Sequence, residues 1–179
     1  VEKIKKLKVG NGAAIVLNPK TGEILSMVGS YDFGDKDYGS YNVVTALRQP
    51  GSSGKPFVYA AALMKGYTGA TEIMDVKTSY PAGKDDNGKD KLYTPENYDA
   101  KYRGPMQLRF ALGNSINTIA VKLTALVGLK DIMQTGYNAG ISTWEPTQEN
   151  LNRVGLSLAL GGQEVRLIEL ASAYGTFAN

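Results

Sequence analysis

Apolar positions come first in short strand-like runs and later at helical spacing. Ala13 to Leu17 is a short run of small and β-branched apolar residues, and Glu23 to Val28 reads as a second strand. Between them Asn18-Pro19-Lys20-Thr21-Gly22 has turn chemistry, so the three segments predict a hairpin. Residues 29–40, full of Gly, Asp and Tyr, read as loop. Phe57 to Leu63 has strong helical character, with Pro56 in the first turn and Gly66 at the exit. Residues 84–91, rich in lysine and aspartate, read as a solvated loop. Further helices are predicted over 105–112, 117–127, 130–137 and 164–177. The last carries an apolar stripe of Val165, Leu167, Ile168, Ala171 and Tyr174.

A hairpin followed by many helices predicts an α+β fold, with helices packed on an antiparallel sheet. Residues 1–12 read as a lead-in segment or linker, and 13–179 as part of one domain. Two strands alone make a marginal sheet with open edges. The remaining strands of the sheet are therefore expected after Asn179 or from another chain.

Composition narrows the chemistry. Hydrophobic residues make up 42% of the 179 residues and charged ones 21%, ordinary for a globular protein with a real core. A net charge of +3 is too small to imply nucleic-acid binding, and the lysines at 3, 5, 6 and 8 read as a solvated basic start. No apolar run reaches membrane-span length, and no signal-peptide pattern opens the chain. Cysteine and histidine are both absent. That excludes disulfides, thiol nucleophiles, histidine triads and most zinc sites. A nucleophilic mechanism must draw its base from Lys, Asp, Glu or Tyr.

The informative pair is then a serine with a lysine one helical turn later. Ser52-Ser53-Gly54-Lys55 places Ser52 at a helix start and Lys55 at i+3 on the same face. A serine hydroxyl needs a base, and lysine serves when burial and a helix N-terminus lower its pKa. The backbone N–H of Ser52 would supply one half of an oxyanion hole. Roughly one S-x-x-K arises by chance at these serine and lysine frequencies. The bland alternative makes Ser52 an N-cap and Lys55 a solvated lysine. Ser115-Ile116-Asn117, just ahead of an apolar helix, is a second element whose bland reading is another cap. Ser40-Tyr41-Asn42 repeats that pattern in a turn-rich loop and reads as coincidence. Gly54-Lys55 lacks the flanking residues of a phosphate loop, having Gln49 and Pro56 instead. Asp85-Asp86-Asn87-Gly88 lacks the closing glutamate of a calcium loop and reads as a solvated hairpin tip.

S-x-x-K followed by S-x-N resembles the first two motifs of the penicillin-binding and β-lactamase superfamily, with Ile116 at the middle of the second. The likeness extends further. Asn18 to Leu25 with Met27-Val28-Gly29 resembles the opening hairpin of class A penicillin-binding transpeptidase domains. Arg48-Gln49-Pro50-Gly51-Ser52 and Lys55-Pro56-Phe57 resemble the nucleophile segment. Pro95-Glu96-Asn97-Tyr98 with Leu108-Arg109, Ala111-Leu112 and Ser115 resembles the approach to the second motif. Leu158 to Gly162 with Leu170 to Tyr174 resembles the stretch before the third.

Two departures stand out. The family usually has a larger apolar residue at the place of Gly54, so a looser first turn around Lys55 is expected. The only K-T-G, Lys20-Thr21-Gly22, lies in a tight turn ahead of Ser52, whereas the family's third motif lies on a later strand.

The resemblance implies a peptidoglycan D,D-transpeptidase that works without metal or organic cofactor. Its partners would be stem peptides and β-lactam antibiotics, the missing C-terminal part of the domain would complete it, and nucleic acid has no place. The parent protein would be membrane-anchored, at the extracytoplasmic face of the bacterial cytoplasmic membrane. By carry-over, Ser52 would be the nucleophile and Lys55 its base. Ser115 would relay a proton, and Asn117 would hold both Lys55 and the substrate amide. Residues 1–179 alone are expected to be an incomplete, inactive fragment. The alternatives are a serine β-lactamase or β-lactam sensor domain, a D,D-carboxypeptidase, or a non-catalytic binding module of the same fold.

Overall fold

The computed structural model describes residues 9–84 and 87–178. Most of the basic lead-in, and Asp85 and Asp86 of the calcium-like run, lie outside the described residues. The chain begins with strands β1 (Ala14–Leu17), β2 (Ile24–Val28) and β3 (Leu47–Arg48), then a 3-10 turn at Gly51–Gly54 and helix α1 (Lys55–Met64). Strands β4 (Glu72–Asp75), β5 (Tyr80–Lys84), β6 (Asp90–Tyr93) and β7 (Gly104–Gln107) follow. Helices α2 (Leu108–Gly113), α3 (Asn117–Val127), α4 (Leu129–Asn138) and α5 (Gln148–Val154) come next. The chain continues through a 3-10 stretch at Gly155–Leu160, β8 (Val165–Arg166) and α6 (Leu167–Gly175).

The fold is α+β, as expected. The described strands form four antiparallel pairs: β1 with β2, β3 with β8, β4 with β7, and β5 with β6. Three sequence expectations need correction, the first being the helix over 164–177, which begins only at Leu167 because Val165 and Arg166 pair with Arg48 and Leu47 as a strand. Residues 105–107 are not the start of a helix, because Gly104 to Gln107 pair with Asp75 to Glu72. Pro105 suits a helix's first turn and an edge strand equally well, and only the distant partner decides between them. The predicted loop over 84–91 is flanked by paired strands, Tyr80 facing Tyr93 and Lys84 facing Asp90.

Two compact units divide the chain. The first comprises the described residues up to Gln49 with 136–143 and the stretch from Glu164 onward. Its β1–β2 hairpin closes on Gly22, whose φ of 74° suits the residue and whose N–H donates to Asn18 O at 2.8 Å. Helix α6 packs against β1, while all five residues of β2 stay exposed, among them Ile24, Leu25, Met27 and Val28.

The second unit spans 50–135 and 144–163. Helices α1 and α3 pack together, burying Phe57, Val58 and Ala62 with Ile119, Ala120 and Leu123. Each large apolar side chain so buried contributes about 1.5–3 kcal/mol. Trp144, fully buried, meets Phe57 edge to face, with ring centroids 6.0 Å apart.

One contact in this unit bears directly on residue 52. Gly161 adopts φ 84°, and a Cβ there would collide with the backbone N, Cα and O of Gly51. The 3-10 turn that carries Ser52 is thus seated on a bare backbone. Gly161→Ala in the full-length protein should lower stability by at least about 2 kcal/mol, through overpacking and φ strain together. Denaturant unfolding checks this, and an unchanged midpoint would mean that the contact yields freely.

Candidate active site

Lys55 opens α1, where Pro56 occupies the first turn. Burying an ammonium is costly unless acceptors surround it. At 1% exposure, Lys55 Nζ donates to Ser115 O at 2.6 Å, Ser115 Oγ at 3.1 Å and Asn117 Oδ1 at 2.6 Å. These three acceptors match the three protons of the ammonium. Burial nevertheless pushes the Lys55 pKa down to about 8.

Ser115 lies between α2 and α3 with φ 53°, a left-handed conformation rare for a residue with a side chain and costing about 1–3 kcal/mol. This conformation accompanies a Ser115 whose carbonyl and hydroxyl both accept from the one lysine. Asn117, the first residue of α3, turns its amide oxygen to Lys55 and donates through Nδ2 to Glu96 O at 2.9 Å.

Ser52 sits exposed in the 3-10 turn, and its carbonyl accepts the backbone N–H of Lys55. Its neighbour is different. The Ser53 hydroxyl donates to Pro50 O at 2.5 Å and is only half-exposed. The structure therefore brings Lys55, Ser115 and Asn117 into direct contact, with Ser52 one helical turn before Lys55.

Gly54 does not slacken that turn. Its φ of −77° and ψ of −18° are ordinary helical values, and the Trp144 ring lies 3.4–3.5 Å from where a Cβ would be. The indole fills the space beside the glycine, and three hydrogen bonds tie Lys55 beyond it.

The look-alike motifs are absorbed by turns. In the hairpin, Lys20 N–H donates to Asn18 Oδ1 at 3.0 Å and Thr21 Oγ1 accepts from Glu23 N–H at 3.3 Å. Asn42 of the early S-x-N accepts from Val44 N–H at 3.0 Å. Among the described residues, no group of three or more Asp, Glu, His or Cys side chains is placed to hold a metal.

Sequence reasoning missed what supports the start of α3. No side chain adjacent in sequence caps this helix. Asn97 does so from a distance, its Oδ1 accepting Asn117 N–H at 3.0 Å and Thr118 N–H at 3.3 Å. Asn97 had a place in the sequence only within the Pro95-Glu96-Asn97-Tyr98 resemblance. Asp75 beneath it carried no signal, because an aspartate ending a short strand usually reads as turn chemistry.

A family model of the penicillin binding protein transpeptidase domain matches residues 12–179. The chain belongs to that family. Penicillin-binding protein 1A of Neisseria lactamica is 40% identical over 168 residues, covering 94% of this chain and 20% of that protein. The Aquifex aeolicus protein of the same name is 39% identical over 169 residues, again 94% of this chain and 21% of that one. The chain thus spans about a fifth of the length of the curated relatives it matches. The crystal structure of penicillin-binding protein 1A from Haemophilus influenzae superimposes with TM-score 0.78 at 33% identity, over 94% of this chain and 23% of that one. The PonA1 protein of Mycobacterium tuberculosis, solved with penicillin V, shares the fold with TM-score 0.73 at 22% identity, over 99% of this chain and 47% of that one.

Within this transpeptidase-family site, the buried lysine has a thermodynamic signature. Its folded pKa of about 8 lies below its ordinary 10.5. The cost of burying its charge is thus present below about pH 8 and fades as the pH rises towards 10.5. Relative to Lys55→Met, the full-length wild type should gain about 3 kcal/mol of stability across that window, since a pKa unit is worth about 1.4 kcal/mol. Unfolding midpoints measured at several pH values check this. A difference constant with pH would show that Lys55 titrates normally.

Proposed function

We propose that this chain carries the acylating machinery of a serine D,D-transpeptidase that cross-links peptidoglycan stem peptides. The single observation that carries the reading is the buried Lys55 amine held between Ser115 and Asn117, one turn after an exposed Ser52. Ser52 Oγ attacks the penultimate D-Ala carbonyl as its proton passes to neutral Lys55. The peptide C–N bond then breaks, and the proton returns through the Ser115 hydroxyl to the departing D-Ala amine. An acceptor amine from a neighbouring stem then attacks the ester; the acyl C–O bond breaks, and the proton lost by the amine passes through Lys55 back to Ser52 Oγ. Asn117 holds Lys55 and reads the substrate amide.

A β-lactam enters the same path, its ring C–N bond breaking while the acyl group stays on Ser52. The backbone N–H of Ser52 provides one oxyanion donor, and the family's second comes from the strand of the third motif. The parent protein is membrane-anchored and works at the extracytoplasmic face of the cytoplasmic membrane. Among the described residues, no helix is long and apolar enough to cross a membrane. Residues 1–179 alone are an incomplete and inactive portion of the domain. The exposed apolar residues of β2 support this reading.

Labelling the full-length protein with a fluorescent penicillin tests the assignment. Ser52→Ala should abolish the label, and Ser53→Ala should keep it. Lys55→Ala should lose roughly 10²–10⁴ in acylation rate while Lys20→Ala stays within a few-fold of wild type. Label retained in Ser52→Ala, or equal losses at Lys20 and Lys55, would contradict the reading.

A further inference from the structure

The base, its relay and its holder leave the start of α3 unexplained. An N-terminal turn that places Asn117 within 2.6 Å of the lysine has no cap of its own. Behind it lies a carboxylate without access to solvent. Asp75, 0% exposed at the end of β4, accepts from Asn97 Nδ2 at 2.8 Å on Oδ1 and 3.1 Å on Oδ2. Its Oδ1 also accepts the Thr118 hydroxyl, and its Oδ2 accepts Arg103 N–H at 3.0 Å. The Arg103 guanidinium stands 3.7 Å away as a countercharge.

We propose that Asp75 is a positioning residue for the reaction: through Asn97 and Thr118 it fixes the first turn of α3, and so the Asn117 amide that holds Lys55. The inference rests on the role proposed for Lys55. Its logic lies in donor and acceptor directions. Asn97 can accept two helix N–H groups only while its Oδ1 faces them, which requires Nδ2 to face acceptors. Asp75 supplies both of its oxygens, and Lys101 O supplies a third acceptor at 2.7 Å. An amide flip at Asn97 would set NH₂ against the N–H groups of Asn117 and Thr118 and undo the cap. Thr118 adds a second link, from within α3 itself, to the same carboxylate oxygen. Stability alone is a weak reason to keep a buried charge, since apolar replacements are often as stable. Orientation of a reactive group is a better one.

Asp75→Asn is isosteric but sets an NH₂ against Asn97 Nδ2 and the Arg103 backbone N–H, both donors, leaving the Thr118 hydroxyl as the one neighbour of these that can turn to accept. Thr118→Val removes one donor and leaves the carboxylate and its contacts with Asn97 intact, so it tests the direct link from Asp75 into α3 by itself if Asp75→Asn does not fold. Each variant of the full-length protein is crystallised, and its penicillin acylation rate per folded molecule is followed across pH. The expected result is a lengthened or broken Asn117 Oδ1–Lys55 Nζ contact with the fold retained. The rate should fall roughly 10- to 100-fold, by analogy with residues that orient metal ligands from behind, with the pH midpoint displaced. Rate and midpoint unchanged with the contact intact would overturn the proposal. So would loss of folding in both variants, or a loss of rate with neither contact nor midpoint moved, because Asp75 would then be structural only. A wild type that does not react with penicillin would sink the proposed function. The crystallographic contact would still decide the role of Asp75.

Discussion

An ammonium group taken out of water must find acceptors, and the Lys55 site is organised around that requirement. Its three protons meet a backbone carbonyl, a hydroxyl and an amide oxygen. Two of those acceptors belong to Ser115, held in a left-handed conformation that few residues with a side chain adopt. The third belongs to the opening residue of α3. Burial and hydrogen bonding pull in opposite directions. The acceptors fix where the amine sits, while desolvation lowers its pKa to about 8. An amine so placed is pre-oriented and also easily deprotonated. Those are the two properties that the base proposed beside Ser52 needs.

The rest of the second unit serves this placement through backbone contact and helix packing. Ser52 rides on a turn whose glycine rests against Gly161. Lys55 begins a helix whose apolar face packs on α3, so the helices carrying Lys55 and Asn117 share one core. Trp144 fills the space beside Gly54, a large side chain matched to a missing one.

What could be read in the sequence was what depends on neighbours close along the chain. The β1–β2 hairpin announced itself by its turn residues. Helix α3 was anticipated over the same residues, 117–127, because its apolar pattern is long and regular. Helix α1 was anticipated from Pro56 and the alanine-rich run after it. Local pattern failed where a distant partner decides. Residues 105–107 became a strand because of residues 72–75, and β5 and β6 have too few apolar residues to signal a pair. Within the site, Lys55 was legible by its type and its spacing from Ser52, supported by the absence of histidine and cysteine, and Ser115 and Asn117 were legible through the family resemblance. Asp75 was not. A lone aspartate in Glu72-Ile73-Met74-Asp75 becomes informative only when Asn97, Arg103 and Thr118 close around it.

The central claim is that burial lowers the Lys55 pKa to about 8, so that roughly a tenth of the amine is neutral at pH 7 and half of it near pH 8. Nuclear magnetic resonance titration of the Lys55 side chain in the full-length protein, assigned by its absence in Lys55→Ala, measures this directly. The account predicts a midpoint near 8. A midpoint at the ordinary lysine value of about 10.4 would contradict it, because Lys55 would then be a fixed cation at neutral pH and unable to take the serine proton.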